Sequence, residues 1–315
     1  MNDLPFKKNC VLLAPMAGVT DSGFRRVCRK YGADGTVSEM VSSRGLFYGD
    51  RKSRELMDHT PEEEPMAIQL FGNDPEFMKT AAAFVTENYA PVMIDINMGC
   101  PAPKIFKNGD GCALMRDPAL AEKLVAAVKS ASSAPVSVKF RSGVDAEHVN
   151  AAEFARACES GGADLLTVHG RTRDQFYSGR SDPEVIKSVV ESVSVPVIAN
   201  GDVTDGESAV KLISFTGAYG VMVGRAALGD PLVFSRIKKA LEPGYQPPEA
   251  ELFDVALEHL RYAVEDKGEF AAVREFRGHL LNYLKGVRGA AELKRQSSRA
   301  MTEADCRRIL EAAKE

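Results

Sequence analysis

The feature that most constrains this chain is an alternation of short apolar runs with longer helical patterns, sustained from residue 11 to about residue 240. Strand-like apolar runs stand at 11–14, 36–38, 66–70, 92–96, 136–140, 165–168, 195–199 and 221–223. Between them, segments such as 75–88, 118–132, 147–160, 183–193 and 207–213 read as helices. Strands separated by helices are βαβ units, and these imply a parallel sheet. Eight such units suit a (β/α)8 barrel of the α/β class, typically about 250 residues long. A doubly wound sheet is the alternative, but it places a G-x-G-x-x-G fingerprint in its first βα turn. None stands there.

The pattern changes after Leu241. The cluster Pro243-Gly244-Tyr245-Gln246-Pro247-Pro248 interrupts both periods. Helical patterns follow at 251–267, 271–285 and 302–314, and Thr302-Glu303-Ala304-Asp305 reads as a capping box opening the last. The expected organisation is a barrel over residues 1–242, a linker at 243–248 and a small helical bundle over 249–315.

Composition narrows the class. Hydrophobic residues make up 44% and charged residues 27% of the chain, as in a globular soluble protein. The longest apolar runs are strand-sized, so no membrane span is expected. The first ten residues hold no signal-like apolar region, and a cytoplasmic protein is expected. Cysteines stand at 10, 28, 100, 112, 158 and 306, with no C-x-x-C pair and no His completing a zinc pattern. Neither a disulfide framework nor a metal site is therefore expected. A net charge of −4 argues against nucleic-acid binding over the whole surface but leaves a local basic patch open.

In a barrel of this kind the chemistry collects at the strand C-termini. After the fourth run comes Asn97-Met98-Gly99-Cys100-Pro101. A Cys held between Gly and Pro at such a position is poorly suited to core packing and well suited to meeting a substrate. With an ordinary thiol pKa of about 8.5 it is a proton donor rather than a thiolate nucleophile. The first strand ends Ala14-Pro15-Met16-Ala17-Gly18-Val19-Thr20-Asp21, which either lets a flat ligand lie against backbone or simply makes a tight turn with Asp21 as helix cap. Gln69 is either a satisfied interior amide or an edge for a heterocycle. Lys139 lies inside a buried strand, where its charge needs a partner. A salt bridge would serve, and an anion brought by a cofactor is the favoured reading. The sixth strand runs into His169-Gly170-Arg171-Thr172-Arg173, which suits an anionic or electron-rich ligand. Arg173 alone reads equally as a surface salt bridge. The last two strands end Asn200-Gly201-Asp202 and Gly224-Arg225, the place where such barrels bind phosphate on backbone N–H groups.

A phosphate cradle, an electrostatically costly lysine, an amide edge and a thiol around one mouth suit flavin mononucleotide. Its phosphate would take the last two strands, and Lys139 would steady the reduced ring. A Schiff-base barrel using Lys139 and a non-enzymatic RNA-binding barrel are the remoter alternatives.

Several of these segments together resemble the tRNA-dihydrouridine synthase family, in its bacterial B-type flavour. They are Pro15 to Asp21, Asn97 to Pro101, Val168 to Arg173, Asn200-Gly201-Asp202, Gly224-Arg225, and the later Leu284-Lys285-Gly286 with Gly289 to Leu293. The resemblance covers roughly residues 10 to 300. It departs at Gly23, where many members carry Pro. It implies an FMN-dependent reductase that converts particular uridines of tRNA, of D-loop type, to 5,6-dihydrouridine, with NADPH or NADH as electron source. By that similarity Pro15, Met16, Ala17, Gln69, Lys139, His169, Asn200, Gly201, Asp202, Gly224 and Arg225 would hold FMN. Asn97, Lys139 and Arg171 would face the uracil, and Cys100 would be the proton donor.

The RNA side rests on charge. Residues 271–300 carry Lys/Arg at 274, 277, 285, 288, 294, 295 and 299 against acids at 275 and 292. Such a basic face, with Arg288, Lys294 and Arg295, fits contact with a phosphate backbone. Lys104, Lys107 and Arg173 at the mouth would extend it. The target base has to be splayed out to reach a recessed ring. An FMN barrel acting on a free pyrimidine or small enone, like dihydroorotate-type enzymes, is the main alternative; it would not need the basic helices.

Overall fold

A computed structural model describes residues 4–314. Nine parallel strands are present: β1 (Cys10–Leu13), β2 (Thr36–Val37), β3 (Val41–Ser42), β4 (Met66–Phe71), β5 (Met93–Met98), β6 (Val136–Arg141), β7 (Leu165–His169), β8 (Val197–Asn200) and β9 (Gly220–Val223). They run in the order β1-β9-β8-β7-β6-β5-β4-β2, and β3 also pairs with β4. A parallel bridge between Leu12 and Gly35 brings the two ends together. Leu13 N–H donates to the Gly35 carbonyl at 3.0 Å, and Asp34 N–H donates to the Val11 carbonyl at 2.8 Å. The result is the expected (β/α)8 barrel.

The ninth strand corrects the count of eight. The second barrel strand is broken: β2 and β3 lie along the same edge of β4, the first opposite Met66–Ala67 and the second opposite Leu70–Phe71. The interruption turns Met40 into the barrel mouth.

A period of two sorts each strand. On β6, Val136, Val138 and Phe140 belong to the main core packed under the helices. Ser137, Lys139 and Arg141 alternate with them and face inward. The inner floor is apolar, built of Leu12, Val37, Ala67, Met93, Leu165, Ile198 and Met222 with Phe6 against them. Toward the strand C-termini the lining becomes polar: Asn97 stands level with Lys139 and His169 with Asn200.

The helices follow from local rules. Asp74, Asp117 and Asp182 each cap a helix whose first residue is Pro, whose missing N–H costs nothing there. Asp21 caps Ser22–Lys30, as expected, by accepting from Phe24 N–H. The segment expected to be helical from 147 begins only at Ala151. Asp145 captures the N–H groups of Glu147 and His148, and Gly143 bridges Val149, so the chain stays in a turn until then.

After the helix Val233–Leu241 the chain crosses the Pro/Gly cluster without regular structure. Four helices follow: Leu252–Lys267, Glu269–Tyr283, Ala290–Arg299 and Glu303–Ala312. The third was not separately expected; the last opens on the expected capping box at Thr302. They enclose their own apolar cluster, including Leu260, Phe276, Leu280, Leu284 and Leu310. This bundle leans on the first barrel helix. At Gly23 a Cβ would come 3.0 Å from Ala263 N, so the missing side chain lets the two helices nest. Among the described residues no helix is long and apolar enough to cross a membrane.

Candidate active site

A cavity of about 700 Å³ opens at the C-terminal mouth of the barrel. Pro15, Met16, Ala17, Gln69, Asn97, Cys100, Lys139, His169, Asn200, Gly201, Asp202, Gly224 and Arg225 all line it. So do five groups that the sequence reading passed over, Met40, Arg141, Phe176, Tyr177 and Met222. Inward parity with Lys139 was the signal available for Arg141; the aromatic pair comes from an irregular loop and gave none.

One wall is a chain of buried polar contacts that ends at the cysteine. Ser137 hydroxyl donates to Asp95 at 2.5 Å, and Gln69 Nε2 donates to the other Asp95 oxygen at 2.6 Å. Asn97 Nδ2 donates to Gln69 Oε1 at 2.8 Å. Asn97 Oδ1 then accepts the N–H groups of Gly99 at 3.2 Å and Cys100 at 2.9 Å. Arg141 Nε holds the Gly99 carbonyl at 3.0 Å. The Cys100 carbonyl accepts Cys112 N–H at 3.1 Å. At Gly99 a Cβ would sit 3.2 Å from the Phe140 backbone, so glycine lets this loop lie flat on β6. Both readings of Gln69 therefore meet in one residue: its amide is satisfied inside the barrel and its edge still borders the cavity.

The electrostatics favour a proton-bearing thiol. Burial raises the Cys100 thiol above its ordinary value, more than neighbouring Arg141 and Lys139 lower it. Lys139 makes no hydrogen bond or salt bridge to the described residues, and burial, assisted by Arg141, pushes its ammonium down to about 8. Burial first, then Lys139, Arg141 and Arg171, push His169 down to about 2, so its imidazole is neutral. Burial raises the Asp95 carboxyl against the pull of Gln69 and Ser137.

The opposite wall is formed by the glycine-rich ends of β8 and β9, with Asp202 and Arg225. Gly201 has φ +121°, and a Cβ there would strike Ser181 Oγ at 2.4 Å and His169 Cδ2 at 2.9 Å. The short turn Arg225–Ala227 starts at Gly224, so its first N–H groups point out of the turn without helical acceptors. The exposed Arg225 guanidinium lies 4.7 Å from the Tyr177 ring and 3.4 Å from Asp202.

The sequence placed Arg171 and Arg173 at the mouth, and the structure sets both outside the cavity lining. Arg171 is 2% exposed, and its N–H groups go to the Ser178 and Gly179 carbonyls and to both Asp202 oxygens. It fixes the loop after β7 and the Asp202 carboxylate beside Arg225. Arg173 pairs with Asp174 and lies 3.9 Å from the Phe106 ring centroid. Lys104 and Lys107 are exposed on the short helix Pro103–Lys107, directly after the Cys100 loop.

On the bundle, Arg277 binds the Ala300 carbonyl and Arg295 pairs with Glu292. Lys285, Arg288 and Arg299 are exposed, Lys294 is half-buried, and none of the four makes a salt bridge among the described residues.

A parallel barrel with a thiol, a buried lysine and glycine-rich strand ends facing one cavity defines a class: a (β/α)8 barrel with its candidate site at the C-terminal mouth. The comparisons specify it. The family model for dihydrouridine synthases (Dus) matches residues 12–315. The tRNA-dihydrouridine synthase B of Shewanella oneidensis is 43% identical over 280 residues, 88% of this chain and 87% of that one. The protein of the same name from Pseudomonas aeruginosa is 42% identical over 302 residues, covering 95% and 91%. A probable tRNA-dihydrouridine synthase of Rickettsia bellii is 41% identical over 288 residues, covering 90% and 88%. Among solved structures, a FabK mutant from Thermotoga maritima aligns with TM-score 0.46 and 17% identity over 72% of this chain and 65% of that one. This chain belongs to the dihydrouridine synthase family.

Proposed function

We propose that this protein reduces the C5–C6 double bond of uridines in tRNA to 5,6-dihydrouridine, as an oxidoreductase of its family. The single observation that carries the mechanism is the placing of Cys100, a thiol raised by burial, in one cavity with an unpaired lysine and the glycine-rich ends of β8 and β9.

Members of this family are flavin-dependent. The residues present fit FMN: Gly201, Asp202, Gly224 and Arg225 would take the phosphate, with Asn200 and His169 behind them. Pro15, Met16 and Ala17 would lie along the ring, and Gln69 and Lys139 would meet its polar edge. Lys139 supports this fit, because a buried cation without an anion is costly unless a ligand supplies one. The reduced flavin, when bound, supplies hydride to uracil C6, and NADPH or NADH is the proposed source of its electrons.

The rest is done by the chain. Negative charge develops on the uracil C4 oxygen as C6 is reduced, and a cation aimed there is worth most in a water-poor site. Lys139 is the cation available, since Arg171 is committed to Asp202 and two carbonyls. Cys100 then delivers its Sγ proton to C5 as a general acid. Asn97 positions that sulfur by holding the Gly99 and Cys100 N–H groups, while its Nδ2 donates to Gln69 Oε1 and Met40 Sδ. We assign residues 1–242 to catalysis, 243–248 to the linker and 249–315 to tRNA binding. On the bundle Arg288, Lys294 and Arg295 would meet phosphates, and at the mouth Lys104 and Arg173 would do the same.

The test is dihydrouridine formation on an unmodified tRNA transcript by FMN-loaded protein with NADPH, run beside free uridine and dihydroorotate-type substrates. Turnover of tRNA with little on the free pyrimidines is expected. Turnover of a free pyrimidine with the transcript untouched would favour the small-molecule reading.

A further inference from the structure

Outside the cavity, the clearest unexplained feature lies where the bundle meets the barrel. Among the described residues, five buried side-chain N or O atoms lack a hydrogen-bond partner, and two of them share one spot. They are Nε2 of His259, on Leu252–Lys267, and Nδ1 of His279, on Glu269–Tyr283. The Asp21 carboxylate, capping the first barrel helix, completes a trio whose ligand atoms all lie within 4.8 Å of one another. His259 Nε2 is 4.0 Å from Asp21 Oδ1, too far for a hydrogen bond.

The surroundings turn both rings lone-pair inward. His279 Nδ1 is buried without a hydrogen-bond partner, and with the ring proton on Nε2 it presents a bare lone pair. The other nitrogen of His259, Nδ1, lies 3.2 Å from the Tyr283 hydroxyl. With that hydroxyl accepting, Nε2 is bare as well. Two lone pairs and a carboxylate then converge in a buried space. Asp21 Oδ1 accepts the Phe24 N–H at 3.0 Å, and the Lys267 ammonium reaches Asp21 Oδ2 at 2.6 Å and also contacts Glu275.

We propose that Asp21, His259 and His279 form a binding site for a divalent transition-metal ion of the zinc class. Two imidazoles and a carboxylate are a common ligand set for such ions, with a water in the fourth position. Tyr283 supplies the outer hydrogen bond that orients His259 as a metal-bound imidazole. Ligand atoms of a tetrahedral site stand roughly 3.3 Å apart, as bond lengths near 2.0–2.1 Å require, so the trio closes by small side-chain rotations. Lys267 competes with the metal for Asp21, and its contact with Glu275 gives the ammonium somewhere to go. Because Asp21 belongs to the barrel and both histidines to the bundle, the ion ties the two together. No sequence pattern marks this site, because its residues are far apart in the chain and follow no spacing rule.

The full-length protein, stripped with EDTA, is titrated with CoCl2 and then ZnCl2. The expected result is one equivalent of Co2+ with weak visible d–d bands, no thiolate charge-transfer band, displacement by Zn2+ and a raised melting temperature. His259→Asn and His279→Asn abolish the spectrum. Lys267→Met, which removes a competing cation, tightens Co2+ binding about tenfold. That variant leaves the histidines in place and carries the test if either histidine change prevents folding. Overturning results are an absent cobalt spectrum with an unchanged melting temperature, a thiolate band placing the ion on cysteine, or Co2+ binding that Lys267→Met weakens or leaves unchanged.

Discussion

The barrel mouth and the C-terminal bundle both carry cationic groups, and they hold them in opposite ways. In the mouth Arg141 and Arg171 are nearly inaccessible and spend their N–H groups on carbonyls and a carboxylate. Lys139 is left free in the middle of that scaffold. On the bundle, Lys285 and Arg288 in the turn after Glu269–Tyr283, and Lys294 and Arg299 on Ala290–Arg299, have no carboxylate partners among the described residues. Fixed cations suit a small group that must be placed to a fraction of an ångström; mobile exposed ones suit a large polyanion met at many points. On the proposed assignment, the mouth would determine rate and the bundle would determine affinity for RNA.

The sharpest way to break this division is at the sulfur. Cys100→Ala removes the general acid, and turnover at saturating tRNA should fall by roughly 10²-fold or more, with flavin content unchanged. Lys139→Met should lose on the order of 10²-fold in turnover and should weaken flavin retention, measured by absorbance of the purified protein. Asp95→Asn strikes the far end of the chain of contacts that holds Cys100. Leaving buried partners unsatisfied costs about 1–3 kcal/mol. A lower melting temperature and about tenfold slower turnover should appear together.

On the other side, Arg288→Glu with Lys294→Glu should raise the KM for tRNA, make its dependence on salt shallower and leave flavin content alone. Arg295→Ala, on an exposed residue shared with Glu292, should raise the KM for tRNA by less than the double reversal does and leave flavin content alone.

Proton linkage sharpens the contrast further. His169 is held at about 2 when folded against an ordinary value of 6.5, so the unfolded chain takes up the proton first. Stability is complete above pH 6.5 and declines as pH falls toward the folded value, by about 2 kcal/mol near pH 5 from this residue alone. Thermal melts from pH 7 to pH 5 should show it, and His169→Gln should flatten the slope. Cys100 runs the other way. With its thiol raised, Cys100 keeps its proton through neutral pH, so turnover should hold there and fall first from about pH 8, as Lys139 loses its charge.

Much of this was legible in the sequence, for identifiable reasons. The barrel is written in a βα alternation whose strands are buried on both faces, and the cradle and the thiol sit at strand ends where glycines mark close turns. The split of the second strand was not legible, because two-residue strands carry no periodicity. The role of Arg171 was misread because a guanidinium next to a strand end looks available; only the folded loop shows that the Ser178 and Gly179 carbonyls claim it. Gln69 and Asn97 looked like ligand contacts, and three dimensions add that they also link Asp95 to the cysteine loop. The Asp21–His259–His279 cluster was invisible, since only tertiary packing assembles it.

The most direct test of the division between mouth and bundle is a single-turnover experiment with pre-reduced enzyme over a range of tRNA concentrations. It compares Cys100→Ala with the Arg288→Glu, Lys294→Glu double variant. The account predicts that the cysteine variant stays slow at saturating tRNA while the charge-reversed variant recovers the wild-type rate. A cysteine variant rescued by excess tRNA, or a charge-reversed variant that stays slow at saturation, would contradict it.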